Sequence, residues 1–183
     1  MNKTFLALIL LVLCAPVSAE IEKIALPCNT GMCLYWWPKL PKIVGWHHER
    51  ESSYSISANA LAPDGNTFKN ADTVIYAKAF YKPRLPQTKS LAQFIADDKQ
   101  QFLGNSPDIV ISEVDELSSS DGNKFQSFTY FPALAGNWER VAYGEEGEFY
   151  LVFTISSRTK AGFEKAITAY KSLVASYSEK LKN

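Results

Sequence analysis

The sequence has few of the residues that enzymes commonly use as reactive groups. Histidine occurs only as the adjacent pair His47 and His48, and cysteine occurs three times in 183 residues. No G-x-S-x-G motif and no glycine-rich phosphate loop is present, and Ser52 stands where an H-E-x-x-H zinc motif needs its second histidine. We therefore expect a protein that is not an enzyme and that carries no cofactor.

An excess of positive charge and a long hydrophobic run are also lacking. Basic and acidic residues number 19 each, so the formal net charge is 0 and nothing favours nucleic acid or an anionic membrane surface. The apolar run at residues 5–13 is much shorter than the ~20 residues of a spanning helix. We expect neither a nucleic-acid partner nor a membrane span.

Residues 1–19 have the pattern of a secretory signal peptide. A positive residue precedes the short apolar run, and small residues lead up to Ala19. Cleavage after Ala19 leaves 20–183, a length typical of one domain with one core. Lipidation of Cys14 stays open as an alternative to this cleavage. The expected location is the periplasm or the cell exterior.

Two cysteines remain after removal of the signal peptide, Cys28 and Cys33. A pair of cysteines in an oxidising compartment favours a structural disulfide. A redox pair usually has the spacing C-x-x-C, and two thiolates are too few for a zinc site. We predict a disulfide between Cys28 and Cys33.

Apolar residues recur at helical spacing in two segments, 90–103 and 159–177. Ser90 and Gln93 match a capping box at the start of the first helix, and Gly104 is expected in a left-handed turn just after its end.

Apolar runs with period two, or apolar on both sides, predict strands at 34–38, 54–60, 73–81, 109–114, 125–131, 138–143 and 149–155. Because these strands are joined by hairpin turns, they favour an antiparallel sheet that the two helices partly cover. The predicted fold class is α+β, with an antiparallel β-sheet covered by two or more α-helices.

A cluster of aromatic residues follows the cysteine pair: Tyr35, Trp36, Trp37 and Trp46. Alternation along a strand places Trp36 on the face opposite to Tyr35 and Trp37, so at least one ring is expected near the surface. Packing in the core is the favoured interpretation. A surface for a ligand or a protein partner is the alternative.

The histidine pair allows two further hypotheses. If residues 45–52 are extended, His47, Glu49 and Glu51 share one side and could form a weak metal site, although zinc normally takes more ligands. A hydrolase with His47 or His48 as its base is the second. The favoured interpretation is a solvated strand end with ion pairs.

Asp98 is the acidic residue that borders the apolar face of the first predicted helix. We expect Lys78 or Arg140 to be its partner. We also expect the core to take up nearly all apolar groups and to leave no cavity in which reactive groups converge.

The order of these parts resembles the PsbP-like superfamily, which includes exported bacterial proteins of the DcrB type. The resemblance covers about 34–177 and is carried by the proline-terminated strand at 34–38, Gly45-Trp46, Pro63-Asp64-Gly65, the helix start at Ser90-Leu91, the run 149–153 and the final helix from Phe163. It implies an α-β-α sandwich and an exported, non-catalytic protein-interaction or scaffold domain whose partner is another envelope or secreted protein. The alternatives are a small-molecule or metal binder that uses the aromatic cluster and His47, and the hydrolase.

Overall fold

A computed structural model describes residues 21–178. The predicted signal peptide and Cys14 lie outside these residues. The elements, in chain order, are β1 (Ile21–Cys28), β2 (Gly31–Pro38), β3 (Trp46–His48), α1 (Arg50–Ile56), β4 (Asn59–Pro63), β5 (Thr73–Tyr81), the 3-10 helix η1 (Lys82–Arg84), α2 (Leu91–Asn105), β6 (Ile109–Ser118), β7 (Lys124–Pro132), β8 (Trp138–Glu146), β9 (Phe149–Ser157) and α3 (Lys160–Ser176). None of the helices described is both long and apolar enough to span a membrane.

All nine strands belong to one antiparallel sheet, as the sequence predicts. Seven of them follow the order β1-β2-β5-β9-β8-β7-β6, and β3 joins through β4, which pairs with β5. Strand β5 lies in the middle and pairs with β9 along its whole length. Its other edge is shared between β4, at Ile75 and Ala77, and β2, at Ala79.

Hydrophobic clusters cover both faces of the sheet. On β9, Leu151, Phe153 and Ile155 pack with α3, whereas Tyr150 and Val152 pack with Phe94 and Ile95 of α2. Alternate residues of a strand point to opposite faces, so each long helix covers a different face. We call these the α3 face and the α2 face.

The two long helices form where the sequence predicts them. The Oγ of Ser90 accepts a 3.2 Å hydrogen bond from the backbone N–H of Gln93, and Thr159 caps α3 in the same way. The expectation for Gly104 is wrong, because α2 continues to Asn105 and Gly104 is not among the glycines with positive φ.

The strand predicted at 54–60 is also wrong over most of its length. The chain forms the short helix α1 and a left-handed turn at Ser57, with φ 53°, before β4 begins at Asn59. Ser53 explains this local choice. Its Oγ donates to the backbone oxygen of Glu49 at 2.8 Å and accepts from the N–H of Ala60 at 2.9 Å, so one side chain satisfies backbone groups on both sides of the turn.

Strand β1 was not predicted from the sequence. It pairs residue by residue with β2, from Ile21 opposite Pro38 to Cys28 opposite Gly31. Exposed and half-buried residues alternate from Lys23 to Cys28, but no residue of β1 is fully buried, so its place in the sheet comes mainly from this pairing.

Candidate functional site

The predicted disulfide is confirmed. Cys28 and Cys33 are bonded across the two-residue turn that joins β1 to β2. This bond ties the hairpin at its closed end, so its geometry fits a structural role.

Two residues of the aromatic cluster contribute to packing. Trp37 is buried, its Nε1 donates a 3.1 Å hydrogen bond to Oε2 of Glu22, and its ring contacts Tyr54 of α1. Trp46 is partly buried and packs against the hydrophobic cluster of the α3 face.

Trp36 also packs against the hydrophobic cluster of the α3 face, and in addition it lines a cavity. Its ring stacks on Tyr81 with centroids 5.3 Å apart, the guanidinium carbon of Arg84 lies 4.5 Å from its centroid, and the Nζ of Lys23 lies 6.0 Å away. Tyr35 and Trp36 line a largely apolar cavity of about 260 Å³ between β2, the end of β5 and η1. We call this the Trp36 cavity.

Two residues of the suggested metal site, His47 and Glu49, are brought together, and Glu51 is separated from them. Nε2 of His47 lies 3.0 Å from Oε1 of Glu49, and its Nδ1 lies 3.4 Å from Oδ1 of Asp64. Glu51 does not share a strand side with them, because α1 begins at Arg50. Across residues 21–178, no group of three or more His, Cys, Asp or Glu side chains is placed to hold a metal ion.

The same region does not have the geometry of a Ser-His-acid triad. The Oγ of Ser52 donates to Oε2 of Glu49 at 3.3 Å, so the carboxylate stands between the hydroxyl and the His47 ring. A triad needs the imidazole to contact the hydroxyl directly. Nδ1 of His48 is bonded to Oδ1 of Asn59 at 3.1 Å instead.

The second candidate region is the part of the α2 face formed by β5. Ile75, Ala77 and Ala79 are fully buried on the α3 face. The alternate residues on the α2 face are only partly buried: Val74, Tyr76, Lys78 and Phe80. Phe94 of α2 packs beside Phe80, Tyr143 and Tyr150, so the helix covers the end of this stretch and leaves Val74, Tyr76 and Lys78 partly open.

Two cavities of about 320 Å³ each lie on this open stretch and share Tyr76 and Lys78 as lining residues. One extends to Glu139 and the other to Asp98. Lys78 also lines the Trp36 cavity. We call the two cavities together the Lys78 groove. Charged side chains line both cavities, and neither histidine is among their lining residues.

Asp98 is held by a chain of hydroxyl groups. The hydroxyl of Tyr143 donates to Oδ2 of Asp98 at 2.6 Å and lies 2.7 Å from the hydroxyl of Tyr130. Burial raises the pKa of Asp98, while the bond from Tyr143 and the charge of Lys78 oppose that rise. Burial lowers the pKa of Lys78, and the nearby charge of Asp98 opposes that shift.

Glu139 supplies a second buried carboxylate to the groove. The Oγ of Ser156 donates to its Oε1 at 2.6 Å across the β8–β9 pair. Burial raises the pKa of Glu139, its hydrogen bonds to Ser156 and Asn137 oppose this, and the charge of Asp98 adds to it. The two carboxylates therefore face the same region of the sheet.

Of the two partners suggested for Asp98, Lys78 interacts with it only through its charge, and Arg140 is bonded elsewhere. Arg140 is bonded to Ser127 at 3.1 Å and paired with Asp115 at 3.1 Å. It follows Glu139 on β8 and so points to the opposite face of the sheet. Sequence reasoning missed Glu139. The signal that could have found it is an acidic residue inside the largely apolar strand predicted at 138–143.

No family model matches the sequence, and no curated protein does so. Several solved structures are similar to it, including the following two. One is the solution structure of cyanobacterial PsbP (CyanoP) from Synechocystis sp. PCC 6803, with 9% identity, 76% of this chain and 82% of that chain covered, and a TM-score of 0.42. The other is the Ran-binding protein Mog1p of Saccharomyces cerevisiae, with 10% identity, 82% and 85% covered, and a TM-score of 0.41. Both have the PsbP-like fold that the sequence resembles.

Proposed function

We propose that this chain is a non-catalytic protein-interaction domain that contacts its partner through the Trp36 cavity. The observation that carries the proposal is the stack of Arg84, Trp36 and Tyr81 at an open apolar cavity. Tryptophan, tyrosine and arginine are the residues most enriched among those that dominate binding energy at protein interfaces.

The cavity is preformed and held by several contacts. Nη1 of Arg84 donates a 3.0 Å hydrogen bond to the backbone oxygen of Leu34, which fixes the guanidinium over the Trp36 ring. Phe149 contacts both Trp36 and Tyr81. A partner that inserts a side chain here loses little free energy to ordering this side of the interface.

The charges around the cavity indicate the chemistry of the partner. Arg84 and Lys23 both lie within reach of the Trp36 ring, and both are cationic. A protein segment with one apolar or aromatic side chain beside acidic residues would fill the cavity and meet these cations. We therefore infer an acidic protein partner.

The setting of this domain is part of the proposal. Residues 1–19 support export, and the disulfide between Cys28 and Cys33 supports an oxidising compartment, either the periplasm or the cell exterior. The helices packed on the two sheet faces support an α-β-α sandwich of the PsbP-like kind. The separation of His47 from the hydroxyl of Ser52 supports a role without catalysis.

Site-specific photo-crosslinking tests the contact surface. A photoreactive phenylalanine at position 35 should capture one defined acidic protein in the source cells, and the same group at position 134 should not, because exposed Leu134 lies in a different loop. The purified partner should bind the wild-type chain and lose at least about tenfold in affinity with Trp36→Ala or Arg84→Glu.

The matched control is Lys160→Glu, which reverses an exposed charge on α3 and should leave the affinity within about twofold. Binding of the partner that is equal for wild type and Trp36→Ala would refute the proposed surface. N-terminal sequencing of the fractionated protein tests export separately: a chain that begins at Glu20 outside the cytoplasm is expected.

A further inference from the structure

The side chain of Lys78 has an unusual position within the Lys78 groove. It lies on the central strand β5, partly buried, and its ammonium donates no hydrogen bond and forms no ion pair of 4 Å or less with the residues described. Asp98 attracts it electrostatically but is hydrogen bonded to Tyr143. A partly desolvated ammonium of this kind is a ready partner for a carboxylate group of a ligand.

Negative groups lie in the same groove. Glu139 lines the first cavity beside Tyr76, with the exposed side chains of Asp72 and Arg158 at the same cavity, and Asp98 lines the second. A ligand with a single negative charge would bind Lys78 but would be repelled by these carboxylates. A ligand with a single positive charge would bind the carboxylates but would be repelled by Lys78. A ligand that carries both charges meets a complementary group for each one.

The first cavity also has an apolar side. Ile56, Phe68 and Val74 line it, and the ring of Phe68 lies 6.4 Å from that of Tyr76. Its volume of about 320 Å³ is at the small end of the range for ligand pockets. This space suits one apolar side group of a small molecule.

From these contacts we propose that the Lys78 groove binds a small zwitterion of the amino-acid class, with the ligand carboxylate on Lys78, its ammonium on Glu139 and its apolar group against Phe68. This site is separate from the protein contact proposed at Trp36, apart from the shared wall at Lys78.

Calorimetry or NMR titration of the purified protein with three related probes tests the proposal. The probes are L-phenylalanine, which has both charges, 3-phenylpropanoate, which has only the carboxylate, and 2-phenylethylamine, which has only the ammonium. L-phenylalanine is expected to bind at about millimolar affinity or better and to be at least about tenfold tighter than either analogue. It should shift the amide signals of residues 74–80.

Two variants divide the recognition into its halves. Lys78→Met should lower the affinity for L-phenylalanine at least about tenfold and should not lower the affinity for 2-phenylethylamine. Glu139→Gln retains an acceptor for Ser156. It should lower the affinity for L-phenylalanine by a similar factor and should not lower the affinity for 3-phenylpropanoate. The control is Lys165→Met, an exposed lysine of α3, which should change none of the three affinities.

Other results would overturn the proposal. No binding of L-phenylalanine at about 10 mM would do so, because a ligand of this size in a complementary pocket should reach that level. Equal binding of 3-phenylpropanoate would show that the carboxylates play no part. Unchanged affinity for L-phenylalanine in Glu139→Gln would show that the ligand ammonium does not contact Glu139. This variant provides a test even if Lys78→Met fails to fold.

Discussion

The hydroxyl of Tyr143 on β8 donates a 2.6 Å hydrogen bond to Oδ2 of Asp98 on α2. This contact joins the helix to the sheet beside the Lys78 groove, and the hydroxyl of Tyr130 extends it at 2.7 Å. Tyr130 and Tyr143 are both fully buried, so each hydroxyl depends on this chain for its partner.

Tyr143→Phe should lower the free energy of unfolding by about 1–3 kcal/mol, because it leaves buried polar groups without a partner. The pKa of Asp98 should also rise further, because the bond from Tyr143 now holds it down. Urea unfolding measures the first effect and NMR titration of carboxyl carbons the second. Tyr81→Phe is the control, since the Tyr81 hydroxyl makes no hydrogen bond with the residues described, and a loss as large there would contradict the interpretation.

Stability should fall as pH rises above about 4. Burial raises the pKa of Asp98 and Glu139, so between the ordinary carboxyl pKa, near 4, and the raised values the folded protein binds more protons than the unfolded chain. The loss accumulates through that window and levels off above it. Unfolding in urea across pH 4 to 8 should show this fall, and Asp98→Asn with Glu139→Gln should flatten it.

Asp115 acts in the opposite sense at lower pH. Hydrogen bonds from Lys171 and Arg140 hold the pKa of Asp115 below its usual value, against a smaller effect of burial. Its contribution to stability is therefore lost as pH falls below about 4. A free energy of unfolding that rises steadily from pH 4 to 8 would contradict the raised pKa of Asp98 and that of Glu139.

The double substitution Cys28→Ser with Cys33→Ser should lower the free energy of unfolding by about 2 kcal/mol, since the bond closes only a short loop. The edge hairpin of β1 and β2 should loosen most, which hydrogen exchange of the β1 amides measures. Reducing agent should destabilise the wild type by the same amount and leave the variant unchanged. Equal stability of variant and wild type would contradict this prediction.

Two helical glycines should respond to alanine in opposite directions. A Cβ at Gly162, in the first turn of α3, would contact Asp72 and lie 2.6 Å from Oγ of Ser157, so Gly162→Ala should cost about 1–3 kcal/mol. A Cβ at Gly104 in α2 meets nothing within 4 Å, so Gly104→Ala should stabilise by about 0.5–1 kcal/mol. Thermal unfolding compares the two, and equal effects would refute the crowding at Gly162.

The parts of the fold that depend on neighbours in the chain could be predicted from the sequence. Ser90 and Thr159 cap their helices because the N–H groups they bond lie three residues away. The hairpin of β8 and β9 follows from Gly147, which has φ 51° in the turn. Segment 50–57 was not predicted, because its alternating serines and apolar residues fit either a strand or the helix that Ser53 stabilises by bonding the backbone of Glu49 and Ala60.

The candidate sites also contain some residues that the sequence could indicate and others that it could not. A lone lysine in an apolar central strand and an acid at the border of a helix are visible in the sequence, and Lys78 and Asp98 do face the same groove. The environments of Glu139 and Trp36 needed the structure, although the sequence already placed Trp36 in the aromatic cluster. Their environments come from Ser156 on the neighbouring strand and from Arg84 far along the chain, and no local pattern places those residues beside them.

By itself, the sequence determined the two long helices, most of the strands and the Cys28–Cys33 bond, because caps, turns and periodicity act over a few residues. Only the tertiary structure decided which part of the sheet α2 leaves uncovered. That choice depends on how Phe94 packs against Tyr143 and Tyr150, contacts between residues far apart in the chain, and it leaves an ammonium and two carboxylates facing an open groove.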